Sequence, residues 1–314
     1  MVSRREVGAV LVLGLLGLAC LLLGTRVARA DDVMVRARPA SGVERRLEFS
    51  DLVLEEALRR TVKKYGPYRI EWVTAVLARE RMLLELVSGE VYNTSVMASQ
   101  PSWEAQLLPI WIPLDMGLSN YRIALTHRDA QEKIAAVRTL DELKALRVGL
   151  GAGWSSRRVM DFNQFNVVLG ESFEPLLKML MAGRIDYFPR GMNEVFVEFD
   201  DRASANPDLV IERSVVIDFP LPGYVFVSPK APRLHKRLTE GMEAMVRDGS
   251  LRKMVSEYHA EMIKRANFCE RQVFRIENPF LSEKTPLKRK ELWFNPYDPK
   301  TGICAVKVRK PVKK

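Results

Sequence analysis

The sequence predicts an α/β fold of two similar lobes, each a mixed sheet flanked by helices. One reason is a sequence motif that occurs twice, at 82–92 and at 176–186, called the repeated motif below. In each copy an amphipathic helix ends at a Gly, Gly89 or Gly183, and a short apolar strand is expected directly after it. The other reason is that strand and helix periodicities alternate along 31–265. Such junctions also recur by coincidence in α/β proteins, but two lobes would enclose a cleft, where ligands commonly bind.

The first lobe is predicted from 31–120, with a return at 224–275. Weak alternation at 33–37 predicts a strand. Ser50 is the expected N-cap of a helix at 50–64, whose apolar and charged residues lie on opposite faces. The other predicted elements of this lobe are strands at 68–73, 91–97 and 224–228 and helices at 78–87, 234–246 and 250–264.

The second lobe is predicted at 121–223. Thr139 and Glu142 have the spacing of a capping box, which predicts a helix start. The chain is expected to cross between the lobes near 117–122 and near 220–223, and two crossing strands would suit hinge closure. The other predicted elements are strands at 121–126, 147–150, 185–188 and 209–217 and helices at 157–165 and 173–181.

The N-terminus predicts export. Two arginines precede an uncharged run at 7–24, and Ala28 and Ala30 stand at the −3 and −1 positions relative to Asp31. This pattern predicts a signal peptide at 1–30, cleaved before Asp31. Two alternatives stay open: the apolar run borders on the length of an uncleaved membrane anchor, and Cys20 lies in a faint likeness of a lipoprotein cleavage box.

The remaining cysteines and the charge distribution exclude some classes of site. Cys269 and Cys304 either form a disulfide or stay as two free thiols, and no cysteine–histidine spacing fits a metal ion. The net charge of +10 comes largely from the C-terminal end, because 284–314 contains ten basic residues and two acidic ones. We therefore expect a basic, irregular extension at 276–314, solvated or in contact with anionic lipid, and no nucleic-acid partner.

Taken in order, these segments resemble the type 2 periplasmic solute-binding proteins, in their amino-acid-binding-like branch (solute-binding family 3). The resemblance covers about 31–265 and includes 139–153 and 224–258, and the segment 186–194 is similar to an uncharacterised stand-alone subgroup. It implies a two-lobed type 2 fold with a two-strand hinge, located in the periplasm. It further implies a monomer without cofactor that binds a small molecule for an inner-membrane ABC transporter or sensor.

The sequence departs from the family at both recognition positions. Amino-acid binders have a Thr-x-x-Arg signature, whose Arg binds the ligand carboxylate, whereas 98–103 contains no Arg. The acid that binds the ligand amino group, expected a few residues past Asp186, is replaced by Arg190 and Gly191. These changes put an ordinary amino acid in doubt, and we expect a small, polar, anionic ligand instead.

The predicted anion site combines a Gly-rich turn with Arg190. Backbone N–H groups at the helix start after the turn would point at an anion, although a plain tight turn is the alternative. The Arg190 guanidinium would bind a carboxylate or phosphate at two points, although an ion pair with Glu194 or Glu198 is the alternative. The predicted ligand-binding residues are Ser99, Trp103, Gly153, Trp154, Ser155, Ser156, Arg157, Arg190 and Glu194.

The sequence favours a binding protein over an enzyme. The three histidines are isolated from any nucleophile or metal-ligand pattern, so no catalytic or metal site is predicted. One alternative is a protein without a transporter, with a sensory or envelope-scaffold role. A second alternative is a dehydratase-type enzyme on the same fold, in which Glu194 would act as the acid.

Overall fold

A computed structural model describes residues 31–38, 45–75, 79–300 and 302–304. The strands are β1 (Asp32–Arg38), β2 (Tyr68–Thr74), β3 (Thr94–Ala98), β4 (Leu108–Ile110), β5 (Tyr121–His127), β6 (Arg147–Gly151), β7 (Asn166–Gly170), β8 (Phe188–Gly191), β9 (Leu209–Ile211), β10 (Val215–Asp218), β11 (Gly223–Val227) and β12 (Gln272–Arg275). The helices are α1 (Arg45–Arg60), α2 (Val62–Tyr65), α3 (Arg79–Ser88), α4 (Pro101–Glu104), α5 (Gln131–Ala135), α6 (Leu140–Ala145), α7 (Ser155–Phe162), α8 (Phe173–Met181), α9 (Met192–Asp200), α10 (Pro232–Arg247), α11 (Ser250–Tyr258) and α12 (Ala260–Ala266). The predicted mixed α/β fold, with sheets flanked by helices, is confirmed.

Some predictions lie outside the described residues. They are the signal peptide with Cys20, at 1–30, and the most basic end of the chain, at 305–314. Within the residues that the structure describes, none of the helices is both long enough and apolar enough to cross a membrane.

The first group of strands contains β1 to β4 and β11. β1 and β2 pair in parallel, and β11 lies between β3 and β4 in an antiparallel sheet. Asn93 joins the two sheets, since its side chain bonds to Val33 O and Val35 N at 2.8 and 2.9 Å. Helices α1 and α10 pack closely because Gly241 has no side chain: a Cβ there would lie 2.2 Å from Ala57 O. This group therefore forms one packed unit.

The second group contains β5 to β10 and β12. β5 pairs with β8, β9 and β10, and β10 pairs with β12 on its other side. The parallel pair β6–β7 joins this sheet through a bridge between Val148 and Tyr187. β12 lies within the span predicted for the first lobe, 224–275, but pairs within the second group. Glu212 is fully buried, and its Oε2 atom lies 3.3 Å from Arg271 Nη1. This ion pair connects the residue before β12 to the turn between β9 and β10.

The two copies of the repeated motif have the same backbone conformation at their glycines. Gly89 and Gly183 have φ of +67° and +66°, the left-handed conformation that glycine adopts readily at a helix end. The following strands begin at Thr94 and Phe188, five residues after each glycine, rather than directly after it as predicted. In the second copy, Asp186 directly precedes Tyr187, which forms the bridge to Val148. The Asp186 carboxylate accepts hydrogen bonds from Lys133 Nζ and Arg147 N.

Other predicted boundaries were wrong for local reasons. Ser50 lies inside α1 rather than at its N-cap, because the helix begins at Arg45 and the Ser50 hydroxyl accepts a hydrogen bond from Arg36. The strand predicted at 209–217 is two strands, because Glu212 accepts hydrogen bonds from the backbone N–H groups of the next turn. The capping box at Thr139 is present as predicted.

The segment at 276–304 packs against both groups of strands. Asn278 donates to Pro220 O at 2.7 Å, and Phe294 N donates to Met116 O at 2.7 Å, so both crossing segments are in contact with it. Arg289 binds the Glu243 carboxylate of α10 at 2.7 and 3.0 Å. A disulfide between Cys269 and Cys304, with Cα atoms 5.3 Å apart, closes the segment back onto the end of α12.

Candidate functional site

A cavity of about 650 Å³ is lined by elements of both groups of strands. The first group contributes the start of α1 and the end of β3, and the second group contributes α9. Both crossing segments line the cavity, at Arg122 and at Leu221, and the α11–α12 junction lines it at His259. The cavity thus occupies the cleft that a two-lobed fold would enclose.

Carboxylates outnumber cationic groups in the lining. The Tyr258 hydroxyl donates to Glu48 at 3.1 Å, and the Arg265 guanidinium donates twice to Asp200, at 2.7 and 2.8 Å. The lining therefore has a net negative charge. Its carboxylates are Glu48, Asp115, Glu194, Asp200 and Glu261, and its guanidinium groups are Arg122 and Arg265.

His259 presents a buried imidazole to the cavity. The residue is 4% exposed, and neither ring nitrogen has a hydrogen-bond partner among the described residues. Burial lowers the pKa of His259, and the nearby Asp115 carboxylate opposes this shift. The Asp115 carboxylate itself accepts hydrogen bonds from Gly117 N and Ser119 N, both at 3.0 Å. The cavity is thus lined by a neutral imidazole near a firmly held carboxylate.

Arg122 and Asn193 also present buried polar atoms that have no partner in the described part of the chain. Arg122 lies on β5 and is 9% exposed, with Nη1 3.7 Å from Glu194 Oε2 and Nε without an acceptor. Burial lowers the pKa of Arg122, and Glu194 opposes the shift. Asn193, in the first turn of α9, has its Oδ1 atom buried without a donor.

The structure places Arg190 in the ion pair that the sequence analysis considered as the alternative. Arg190 Nε and Nη2 donate to the Glu198 carboxylate at 2.6 and 2.7 Å, and Nη2 lies 3.1 Å from Glu194. The guanidinium also lies over the Trp154 ring, 4.2 Å from its centroid. Arg190 is not among the described residues that line the cavity.

The Gly-rich turn packs against its own lobe. Trp154 stacks on Phe188 with centroids 5.5 Å apart, and Ser156 is buried. The Arg157 guanidinium donates to Asp161 and to Ala152 O, at 3.2 Å each. The exposed Gly153 has open space on its side-chain face. These residues are not among those described as lining the cavity.

Ser99 and Ser155 line a smaller hollow of about 30 Å³, which Phe280 of the C-terminal segment also lines and which shares Leu221 with the larger cavity. Ser99 donates to Glu104 at 2.6 Å, and Trp103 is buried edge-on against Phe226. Of the nine predicted ligand-binding residues, Glu194 lines the larger cavity in the described part of the chain, and the other eight do not.

Sequence reasoning missed the polar residues that line the cavity around Glu194. Arg122 left a signal, because it is a lone charge within the apolar strand β5, which is buried on both faces. His259 left a weak signal, because it follows the buried Leu251 and Val255 at a spacing of four residues and so continues the apolar face of α11. Asn193 left none, because a single polar residue in the first turn of a helix is ordinary.

No family model and no curated protein matches the chain. Among solved structures, an ancestral arginine-binding protein bound to arginine is similar, with 17% identity, a TM-score of 0.48, and coverage of 72% of this chain and 96% of its own. A periplasmic His/Glu/Gln/Arg/opine family-binding protein from Silicibacter pomeroyi, in complex with lysine, has 14% identity, a TM-score of 0.46, and coverage of 67% and 85%. An ancestral amino acid-binding protein, described as a precursor of cyclohexadienyl dehydratase, has 14% identity, a TM-score of 0.48, and coverage of 72% and 94%.

Proposed function

We propose that this protein binds a small polar solute with a positively charged group in the 650 Å³ cavity. The observation that supports this most directly is the excess of carboxylates in the lining. An opposite charge within a partly buried cleft attracts and holds a cation, and clefts of one sign raise the local concentration of their ligand.

The ion pairs within the lining decide which charges remain. Asp200 is neutralised by Arg265, and the Glu194 carboxylate is beside Arg122. The carboxylates of Glu48, Asp115 and Glu261 are left to set the field in the cavity. The predicted anionic character of the ligand depended on Arg190, whose guanidinium binds Glu198 instead, and so the lining favours a cationic group.

The same proposal includes movement and delivery. The two predicted lobes, at 31–120 with 224–275 and at 121–223, would close on the solute by rotation about the two crossing segments. β12, although it lies within the span predicted for the first lobe, would move with the second lobe because it pairs with β10. An exported monomer of this kind would deliver its solute to an inner-membrane transporter or sensor. The predicted signal at 1–30 is the basis for the export step.

Thermal-shift measurements on the chain from Asp31 onward test the proposal. L-Arginine, L-lysine and agmatine offer cationic groups, and glutarate, a dicarboxylate without an amino group, is the anionic control. A ligand at a hundred times its dissociation constant adds about 2.7 kcal/mol to the free energy of unfolding. We expect a rise in melting temperature with at least one cation and none with glutarate. A rise with glutarate alone would contradict the cationic assignment.

A variant pair locates the site. Glu261→Gln removes one carboxylate from the lining, and Glu132→Gln removes an exposed carboxylate on α5, away from the cavity. Affinity for the cation should fall in the first variant and stay unchanged in the second. Equal effects would mean that the attraction belongs to the whole surface rather than to the cavity.

A further inference from the structure

We infer that three residues, Arg122, Asn193 and His259, are the hydrogen-bonding contacts of the ligand in this cavity. The inference rests on the proposed function, since it concerns the same cavity, and it adds the chemistry of the ligand's polar end. Their unpaired atoms are Arg122 Nε, Asn193 Oδ1 and the two ring nitrogens of His259.

The first support is where the unpaired atoms lie. Burying a polar atom without a partner is unfavourable, and folded proteins contain few such atoms. The described residues contain eight of these side-chain atoms, and four of them belong to three residues that line this one cavity. Such a concentration indicates partners that arrive with a ligand rather than scattered packing faults.

The second support is the way in which each group is held. The His259 ring packs against the rings of Phe49 and Tyr258, with centroids 4.8 and 5.0 Å away, and these two rings contact each other at 5.1 Å. The Arg122 guanidinium lies 3.7 Å from the Glu194 carboxylate and 5.3 Å from the centroid of the Phe219 ring. Groups fixed before the ligand arrives lose little conformational freedom on binding, which favours affinity.

The third support is that the three residues come from different elements. Arg122 lies on β5, Asn193 on α9 and His259 at the junction of α11 and α12. A single ligand that bonds to all three would connect the crossing strand, the second group of strands and the helices that pack on the first group. Binding would then depend on the relative position of these elements.

The donors and acceptors define the ligand's polar end. Arg122 Nε–H only donates, so the ligand must offer an acceptor oxygen or nitrogen there. Asn193 Oδ1 only accepts, so a ligand N–H or O–H must meet it. A neutral His259 imidazole offers one donor and one acceptor, beside the titratable groups of Asp115, Glu48 and Tyr258. We therefore assign a ligand with adjacent donor and acceptor groups at one end, in addition to its positive charge.

The decisive variant is His259→Phe, measured with and without L-arginine and L-lysine, whose ammonium and carboxylate groups provide the adjacent donor and acceptor. Phenylalanine keeps a ring packed against Phe49 and Tyr258 but removes both unpaired nitrogens. Without ligand, we expect the melting temperature to rise by about 2–4 °C, since an unfavourable buried group is lost. Affinity for the cation that stabilises the wild-type protein should fall about ten-fold or more.

His235→Phe is the matched control. His235 Nε2 lies 3.1 Å from Pro109 O, and the residue is not among those described in the cavity lining. Its replacement removes a satisfied hydrogen bond, so the melting temperature should fall while affinity per folded molecule stays unchanged. We therefore expect the melting temperature to rise in His259→Phe and to fall in His235→Phe.

Arg122→Lys gives a second, independent measurement. Lysine keeps a positive charge beside Glu194 but has no Nε–H at the same place, so affinity should fall about ten-fold. If no cation stabilises the wild-type protein, the proposed function fails and this inference fails with it. If a cation binds and both His259→Phe and Arg122→Lys bind it with wild-type affinity, the proposed function stands and this inference is overturned.

Discussion

Arg190 and Glu198 form a buried two-point ion pair, in which Nε and Nη2 of the guanidinium lie 2.6 and 2.7 Å from the two carboxylate oxygens. Removing one partner of such a pair leaves the other charge buried and uncompensated. Arg190→Ala should therefore destabilise the protein by about 3–5 kcal/mol, measured by urea unfolding. Affinity per folded molecule should be unchanged. A normal stability combined with lost affinity would restore Arg190 as a ligand contact.

Substitution of the two glycines of the repeated motif, Gly89 and Gly183, gives a matched pair of variants. Gly183→Ala places a side chain in open space, so its cost is the left-handed backbone alone, about 1–2 kcal/mol. Gly89→Ala has the same backbone cost, and its Cβ would also lie 2.6 Å from Ser228 Oγ. We expect Gly89→Ala to be the more destabilising in denaturant unfolding. A smaller effect at Gly89 would show that Ser228 moves aside without cost.

Asp186 predicts part of the acid sensitivity. Burial alone would raise the pKa of its carboxyl, but hydrogen bonds from the Arg147 side chain and backbone and from Lys133 lower the pKa to about 2. A depressed pKa in the folded state means that this stabilisation is present above the unfolded pKa of about 3.9 and is lost as the pH falls toward 2.

Asp186→Asn should accordingly lower stability at pH 7 and flatten its decline between about pH 4 and pH 2. Stability against pH, followed by circular dichroism in urea, measures this. Asp141→Asn is the control, because the Asp141 side chain is 95% exposed. A wild-type pH profile in Asp186→Asn would contradict the assignment.

The disulfide predicts a response to reducing agents. Cys269 and Cys304 are separated by 35 positions, and closing a loop of that length contributes about 3–4 kcal/mol in the loop-entropy model. Dithiothreitol should lower the melting temperature of the wild-type protein. The Cys269→Ser, Cys304→Ser double variant should already have the lower value and should not respond. An equal response in both proteins would mean that the reagent acts elsewhere.

Local sequence signals predicted the local structure well. The capping box at Thr139 and the left-handed glycines Gly89 and Gly183 depend on residues within a few positions of each other. The predictions that failed depend on distant partners: Ser50 bonds to Arg36 in β1, and the residues of β12 pair with residues of β10 that lie 57 positions earlier. Periodicity contains no information about such pairings.

The candidate site was harder to predict for the same reason. The sequence predicted Arg190 as a ligand contact because a guanidinium at a strand end suits an anion. In the structure the guanidinium is already paired with Glu198, which lies eight residues later in α9. Arg122 and His259 are 137 positions apart in the sequence and meet only at the cavity. The sequence shows which side chains are charged, but it does not show which of them bind each other, and the predicted charge of the ligand depended on that.

The C-terminal segment at 276–304 has a mechanical consequence. It bonds to both crossing segments, through Asn278 and Phe294, and Arg289 attaches it to α10. In the closing motion proposed above, rotation of one lobe about those crossings would strain these bonds, and we therefore expect the segment to slow opening. The time for which a solute stays bound would then be set partly by residues that do not contact it. Changes in this segment would alter the exchange rate of the solute while its contacts in the cavity stay the same.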